Sequence, residues 1–202
     1  MTDSIFQWSY FAGLIVGSII RGNYTRIRGN YTRHHRHNEI VDDRKSTLDT
    51  VLMTLPAVGM FILPLVNALS GRLDFADYRL PTWVGWLGIL TFALALWLLW
   101  RSHVDLGRNW SPTVQLRKDH TLVTRGVYQH VRHPMYAAHF VWGIAQPMLL
   151  QNWIAGWGML LTLLPGYLWR VPREERQLLD RFGDQYASYT AITGRIVPPL
   201  RR

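Results

Sequence analysis

Cysteine is absent from the 202 residues. That excludes disulfides, thiolate metal sites, a cysteine nucleophile and any palmitoyl or prenyl anchor on this chain. Charge is also missing, but locally: residues 4–20, 50–71, 82–100 and 133–169 contain no Asp, Glu, Lys or Arg. A soluble single domain does not segregate its charges in this way, and such runs read as membrane spans. The opening Met1-Thr2-Asp3 lacks the basic segment of a signal peptide, and no small-residue cleavage site follows, so the first run is expected to remain as a mature helix.

What charge there is sits in blocks. Lys and Arg number 22 against 13 Asp and Glu, a net charge of +9. Residues 21–50 hold seven of the basic residues, 101–132 hold six and 170–202 hold seven, leaving only Arg72 and Arg79 elsewhere. If 133–169 folds as a hairpin of two spans, the chain crosses five times and the three basic blocks fall on one side. That is the positive-inside pattern, with the N-terminus outside and the basic side cytoplasmic. The charge therefore serves topology and contact with lipid headgroups. No basic and aromatic groove pattern accompanies it, so nucleic acid is not expected as a partner.

The expected architecture is all-α, a polytopic membrane helix bundle of about five transmembrane helices forming one domain over 1–202. The spans fall at about 5–20, 51–69, 81–100, 136–150 and 153–169, with a cytoplasmic region at about 105–136 plus 170–199. Gly13 and Gly17 stand at the spacing that admits a close helix neighbour, or are two small residues by chance. Arg21-Gly-Asn-Tyr-Thr-Arg26 recurs as Arg28-Gly-Asn-Tyr-Thr-Arg33, followed by His34, His35 and His37. This segment reads as a polar loop facing anionic lipid rather than a metal site, because no acidic or cysteine partner completes a tetrahedron. Gln151-Asn152 makes a tight turn between the last two spans. Leu178, Leu179, Phe182, Tyr186 and Tyr189 give the tail from Arg170 an amphipathic helical spacing, broken near Gly183.

Three patches gather unusual residue types on the cytoplasmic side: His120 to Tyr128, Arg132-His133-Pro134-Met135-Tyr136, and Arg170 to Glu175. The hairpin sets Glu174 and Glu175 beside His133 and Tyr136. A carboxylate facing imidazole and phenol at a lipid boundary is a site for a charged ligand. On residue types alone, an interfacial anchor of Arg, His and Tyr fits equally.

These motifs carry a resemblance. His120-Thr-Leu-Val, Gly126-Val-Tyr128, Arg132-His-Pro-Met-Tyr136, Glu174-Glu175 with Leu178, Phe182-Gly-Asp-Gln-Tyr186 and Gly194-Arg-Ile-Val-Pro198 resemble the isoprenylcysteine carboxyl methyltransferase family in its shorter prokaryotic form. The resemblance implies S-adenosylmethionine bound on the cytoplasmic side, and no glycine-rich turn after a strand offers the soluble Rossmann alternative. By motif match its contacts would be Gln115, His120, Leu122, Val123, Tyr128, His133, Pro134, Tyr136 and Glu174. A carboxylate and aromatic faces suit a sulfonium and an ammonium, and Leu122 with Val123 would cover the adenine. The family pattern also places Arg170 one turn before Glu174, where its planar fork would orient a substrate carboxylate. Arg170 and Glu174 are the expected catalytic pair; the alternative for Arg170 is a snorkelling span end.

The implied reaction is an in-line displacement between a sulfonium and a carboxylate that is already ionised, so the site needs to align and desolvate rather than to supply a base. The implied acceptor is an isoprenyl thioether acid or another lipid carboxylate drawn from the bilayer between spans 1, 2 and 5. Phospholipid N-methyltransferases share the Arg-His-Pro and Glu-Glu patches, and amine methylation, with Glu175 or His139 as base, is the alternative activity.

Overall fold

The computed structural model describes residues 2–34, 40–43, 47–107, 115–117 and 121–199. Among the described residues seven α-helices occur: α1 (Thr2–His34), α2 (Thr47–Ala57), α3 (Leu63–Ser70), α4 (Thr82–Leu106), α5 (Pro134–Leu150), α6 (Trp153–Phe182) and α7 (Asp184–Ile192). One short antiparallel pair, β1 (Ile40–Asp43) with β2 (Gln115–Arg117), joins the two connections. The fold is all-α, as expected. Two helical segments among the described residues, Thr47–Ser70 and Thr82–Leu106, are long and apolar enough to cross a membrane by length and composition.

Small residues set the closest helix contacts. A Cβ at Gly13 would overlap the Phe92 ring of α4, and one at Gly17 would lie 2.7 Å from the Trp142 ring of α5. The Gly13–Gly17 pair is therefore a packing face. Phe6, Tyr10, Leu14, Phe92, Ala95, Trp142, Ala145 and Met159 form the buried core between α1, α4, α5 and α6. Large apolar side chains such as Trp8, Ile15, Leu90, Leu161 and Leu168 cover the outside, the inverse of a water-soluble surface.

A single π-helical turn, Val58–Ile62, links α2 to α3, and its cause is legible atom by atom. Pro64 has no N–H, so the Met60 carbonyl loses the donor one turn ahead. The Leu63 N–H is turned to the Val58 carbonyl, which leaves the Gly59 carbonyl free as well. Tyr10 Oη donates to the Met60 carbonyl at 2.6 Å, and Gln146 Nε2 donates to the Gly59 carbonyl at 2.9 Å. In an apolar bundle unpaired carbonyls are expensive, so α1 and α5 each contribute one polar side chain to close the defect.

The tight turn between α5 and α6 is built as the sequence implies. Gln151 takes a left-handed conformation at φ 47°, and Asn152 caps α6 by accepting from the N–H groups of Ile154 and Ala155. Asn152 Nδ2 also donates to the Leu73 carbonyl and to Asp77 at 2.7 Å each. The connection after α3 and the α5–α6 turn thus share one end of the bundle.

Two expectations change. The duplicated RGNYTR segment is helical, not a loop: α1 continues to His34. The duplication repeats every seven residues, two helical turns, and contains no proline to stop the helix. Likewise the last span and the tail helix are one rod, because α6 runs unbroken past Arg170 to Phe182. It ends where predicted, at Gly183, whose φ of 50° only glycine adopts readily. His35 and His37 lie outside the described residues.

Candidate active site

The end of the bundle opposite the α5–α6 turn holds a cavity of about 400 Å³ lined from α1, α2, the π turn, α5, α6, α7 and the segment before α5. Of the residues expected to form the site, Leu122, Val123, Tyr128, His133, Pro134, Tyr136, Arg170 and Glu174 all face it. Gln115 lies in β2 opposite Asp43, and His120 lies outside the described residues. His34 ends α1.

Arg170 is 8% exposed and donates from Nε to Glu174 Oε1 at 2.5 Å, one turn along α6. The i, i+4 spacing makes them neighbours, and burial of the guanidinium demands the pairing. His133 immediately precedes α5, with Pro134 in the first helical turn, where its missing N–H is no loss. The His133 ring meets the same carboxylates, with Nδ1 3.8 Å from Glu174 Oε2 and Nε2 3.4 Å from Glu175 Oε1. Tyr136, one turn into α5, stands edge-on to His133 and to Tyr167 of α6, at 5.9 and 5.6 Å between ring centres.

Glu175 anchors a second layer. It accepts from Arg132 Nε at 3.1 Å and is 2.7 Å from Arg195 Nη2. Burial alone would raise its carboxyl, but contact with His133 and hydrogen bonds from Arg195 and Arg132 hold it down at about 2. The tail closes over this layer: the N–H groups of Arg132 and His133 donate to the Gly194 and Arg195 carbonyls at 2.8 Å each. Arg132 Nη1 also donates to the carbonyls of Thr190 and Thr193. Tyr189 Oη donates to the Tyr128 carbonyl at 2.5 Å, and burial pushes the Tyr128 phenol well above the usual tyrosine range, so it stays a neutral donor.

Four buried atoms of cavity-lining side chains, on His133, Trp142, Gln177 and Tyr186, have no hydrogen-bond partner among the described residues; the last two, Gln177 Nε2 and Tyr186 Oη, come from α6 and α7. Gln177 and Tyr186 are each 3% exposed. Buried polar atoms of native proteins are rarely left unpaired, so both point to a ligand that brings acceptors. Sequence reasoning missed Gln177, although it lies one turn from Glu174 on α6, and placed Tyr186 in an apolar stripe and in the Phe182-Gly-Asp-Gln-Tyr186 motif without a contact role. It also missed Arg21, which resembles an ordinary span-end cation. Among the described residues no cluster of three His, Cys, Asp or Glu side chains is arranged for a metal ion.

The opposite wall of the cavity is apolar, formed by Leu52, Met53, Pro56, Met60 and Phe61 facing Leu163 and Tyr167. One cavity thus combines a polar end with an apolar wall. A sequence profile described as the isoprenylcysteine carboxyl methyltransferase family matches residues 86–180, which span α4 through most of α6. Over that stretch, a little under half of the chain, the sequence resembles this family. It is 26% identical over 156 residues to protein-S-isoprenylcysteine O-methyltransferase B of Arabidopsis thaliana, covering 76% of this chain and 79% of the relative. It is 34% identical over 133 residues to the human protein-S-isoprenylcysteine O-methyltransferase, covering 61% of this chain and 47% of that one. The fission yeast enzyme of the same name is 37% identical over 105 residues, 51% of this chain and 44% of the relative. The chain therefore spans most of the plant relative and about half of the human and yeast ones.

The solved structure of the eukaryotic intramembrane Ras methyltransferase ICMT, without a monobody, matches 91% of this chain and 67% of its own at a TM-score of 0.51 and 24% identity. That likeness is one of fold. Two of the chain's described helical segments are apolar and long enough to cross a membrane, and the matched profile is one of methyltransferases, which use a methyl donor.

Proposed function

We propose that the chain transfers a methyl group from S-adenosylmethionine to the carboxylate of an isoprenylcysteine-like lipidic acceptor. The observation that carries this reading is one cavity with a polar end, at Glu174, His133 and Tyr136, and an apolar wall of Leu52, Met53, Pro56, Met60 and Phe61. A charged cofactor and a lipid need surfaces of these two kinds side by side. S-adenosylmethionine, when bound, supplies a methyl group activated by a positively charged sulfur.

The residues present fit that group. Glu174 offers the carboxylate for its positive charges, Tyr128 and Tyr136 offer aromatic faces, and Leu122 with Val123 cover an adenine. Gln177 and Tyr186 bring the donors that its ribose, adenine or carboxylate accept from. Gln115 and His120 complete the set by motif match. Arg170, steadied by Glu174, holds the acceptor carboxylate, and the apolar wall excludes water from both reactants. The acceptor oxygen forms the new O–C bond as the C–S bond breaks, with its electron pair remaining on sulfur. No base is needed, since a carboxyl with a pKa of about 3.5 is already ionised at neutral pH. Arg170 and Glu174 thus act as catalytic residues by touching acceptor and donor.

The proposed topology is a single domain crossing five times, on α1, α2 with α3, α4, α5 and α6, N-terminus outside and site cytoplasmic, in a prokaryotic membrane. Supporting it, the connection after α3 meets the α5–α6 turn at one end, while the segment before α5 meets the tail at the other. The alternative, methylation of phosphatidylethanolamine, requires an ammonium to bind beside Arg170 and to lose a proton, to Glu175 or His139, before the free amine can accept the methyl group. Methyl transfer from labelled donor to N-acetyl-S-farnesylcysteine, with phosphatidylethanolamine as the comparison, tests the assignment. Label in the ester supports it, and label only in the phospholipid overturns it.

A further inference from the structure

Arg21 is the first charged residue after the apolar run of α1, yet it is half-buried and lines the cavity beside Arg170, Tyr136 and His139. The other guanidiniums on that wall have carboxylates: Arg170 holds Glu174 at 2.5 Å and Arg132 holds Glu175 at 3.1 Å. His133 stands 3.4 Å from Glu175, and His139 Nδ1 is engaged with the Met135 carbonyl at 2.6 Å. Arg21 has no carboxylate partner among the described residues, and it lies within electrostatic reach of Arg170, whose like charge repels it. Two guanidiniums drawn toward one partly desolvated space are stable only when an anion joins them.

We infer that Arg21 and Arg170 form a two-cation clamp for the acceptor carboxylate, with Arg21 as the member that distinguishes the ionised acid from its ester. This rests on the function proposed above and deepens it. Glu174 neutralises Arg170, so the net positive charge facing the acceptor comes from Arg21. An ammonium acceptor would meet the same charge as repulsion, which disfavours phospholipid amines in this cavity.

The clamp also has a consequence for turnover. Methylation removes the acceptor's negative charge, so the attraction that drew the acid in is gone once the ester forms. Arg21 therefore favours substrate over product and helps the ester leave. Because the negative charge is greatest before reaction and fades toward the transition state, Arg21 acts on acceptor binding more than on the chemical step. Its loss should raise KM for the acceptor with little fall in kcat.

Calorimetric titration of the full, detergent-purified chain saturated with S-adenosylhomocysteine tests this, using N-acetyl-S-farnesylcysteine and its uncharged carboxamide. The parent should bind the acid about tenfold or more tighter than the carboxamide, the effect of one charge-assisted contact. Arg21→Gln should lose most of that preference, keeping only what Arg170 supplies, while retaining the parent's affinity for S-adenosylhomocysteine, which also certifies its fold. Arg21→Lys should restore part of the preference. An acid preference undiminished in Arg21→Gln, or cofactor-product affinity lost along with it, overturns the clamp. If the parent binds acid and carboxamide equally, the clamp falls and the acceptor class stands. If it binds neither while still binding S-adenosylhomocysteine, the acceptor class falls too, taking the clamp with it.

Discussion

Arg170 and Glu174 form a 2.5 Å ion pair across one turn of α6, at the point where this helix passes from its apolar stretch into its charged one. The pair ties the two proposed ligands together, because the carboxylate that would face the donor fixes the guanidinium that would face the acceptor. The two residues should nevertheless separate experimentally. Glu174→Gln should weaken binding of S-adenosylhomocysteine by about tenfold or more, the worth of a hydrogen bond to a charged group. Arg170→Ala should retain most of that binding and abolish turnover. Titration and single-turnover assays on both variants check the split, and equal loss of binding in both would refute it.

Gln146 offers a test of the fold alone. Its amide donates to the Gly59 and Ala155 carbonyls at 2.9 and 2.6 Å and accepts from Tyr10 at 3.0 Å, all within the bundle. Gln146→Leu keeps the volume but leaves the Gly59 and Ala155 carbonyls without that donor, so stability should drop by about 1–3 kcal/mol. Thermal unfolding in detergent measures it, with the S-adenosylhomocysteine affinity of the folded fraction unchanged.

Helix proximity is testable at Gly17, where an added Cβ would meet Trp142 at 2.7 Å. Gly17→Val should force α1 away from α5 and cost about 1–3 kcal/mol, the usual range for overpacking. A lower melting temperature is the expected result, whereas an unchanged one would mean that α1 is not seated on this face.

Acid should act through Glu175. Its carboxyl sits at about 2 in the folded protein against 4.5 without the fold's contacts, so folding favours the ionised form. A depressed folded value contributes stability that is fully present above 4.5 and is lost as pH falls toward 2. The stability gap between the parent and Glu175→Gln should therefore be constant from neutral pH down to about 5 and narrow below it. Denaturant titration at stepped pH reads this out. A gap that stays level down to the lowest pH tested would show that Glu175 is not the group responsible.

Much of this was legible in the chain itself. Charge-free runs mark helical segments, and the order of His133, Tyr136, Arg170 and Glu174 brings the cavity residues together because a two-residue turn forces α5 and α6 antiparallel. Periodicity misplaced two boundaries, since polarity alone does not stop a helix. Residues 21–34 are charged and helical, and α6 crosses from apolar to charged sequence without a break. The π turn was hidden for another reason. Pro64 announces a lost hydrogen bond, but Tyr10 and Gln146, which repair it, are remote in sequence. Arg21 was hidden likewise, because only the packing of α1 against the bundle turns a span-end cation toward the cavity.

The most direct test is calorimetric titration of the detergent-purified protein with S-adenosylhomocysteine, which binds without reacting. Micromolar binding that disappears in Tyr136→Ala is the expected result and would establish the polar end of the cavity as the donor site. Absence of binding by a folded sample would contradict it and leave the likeness to the methyltransferases as one of ancestry and fold.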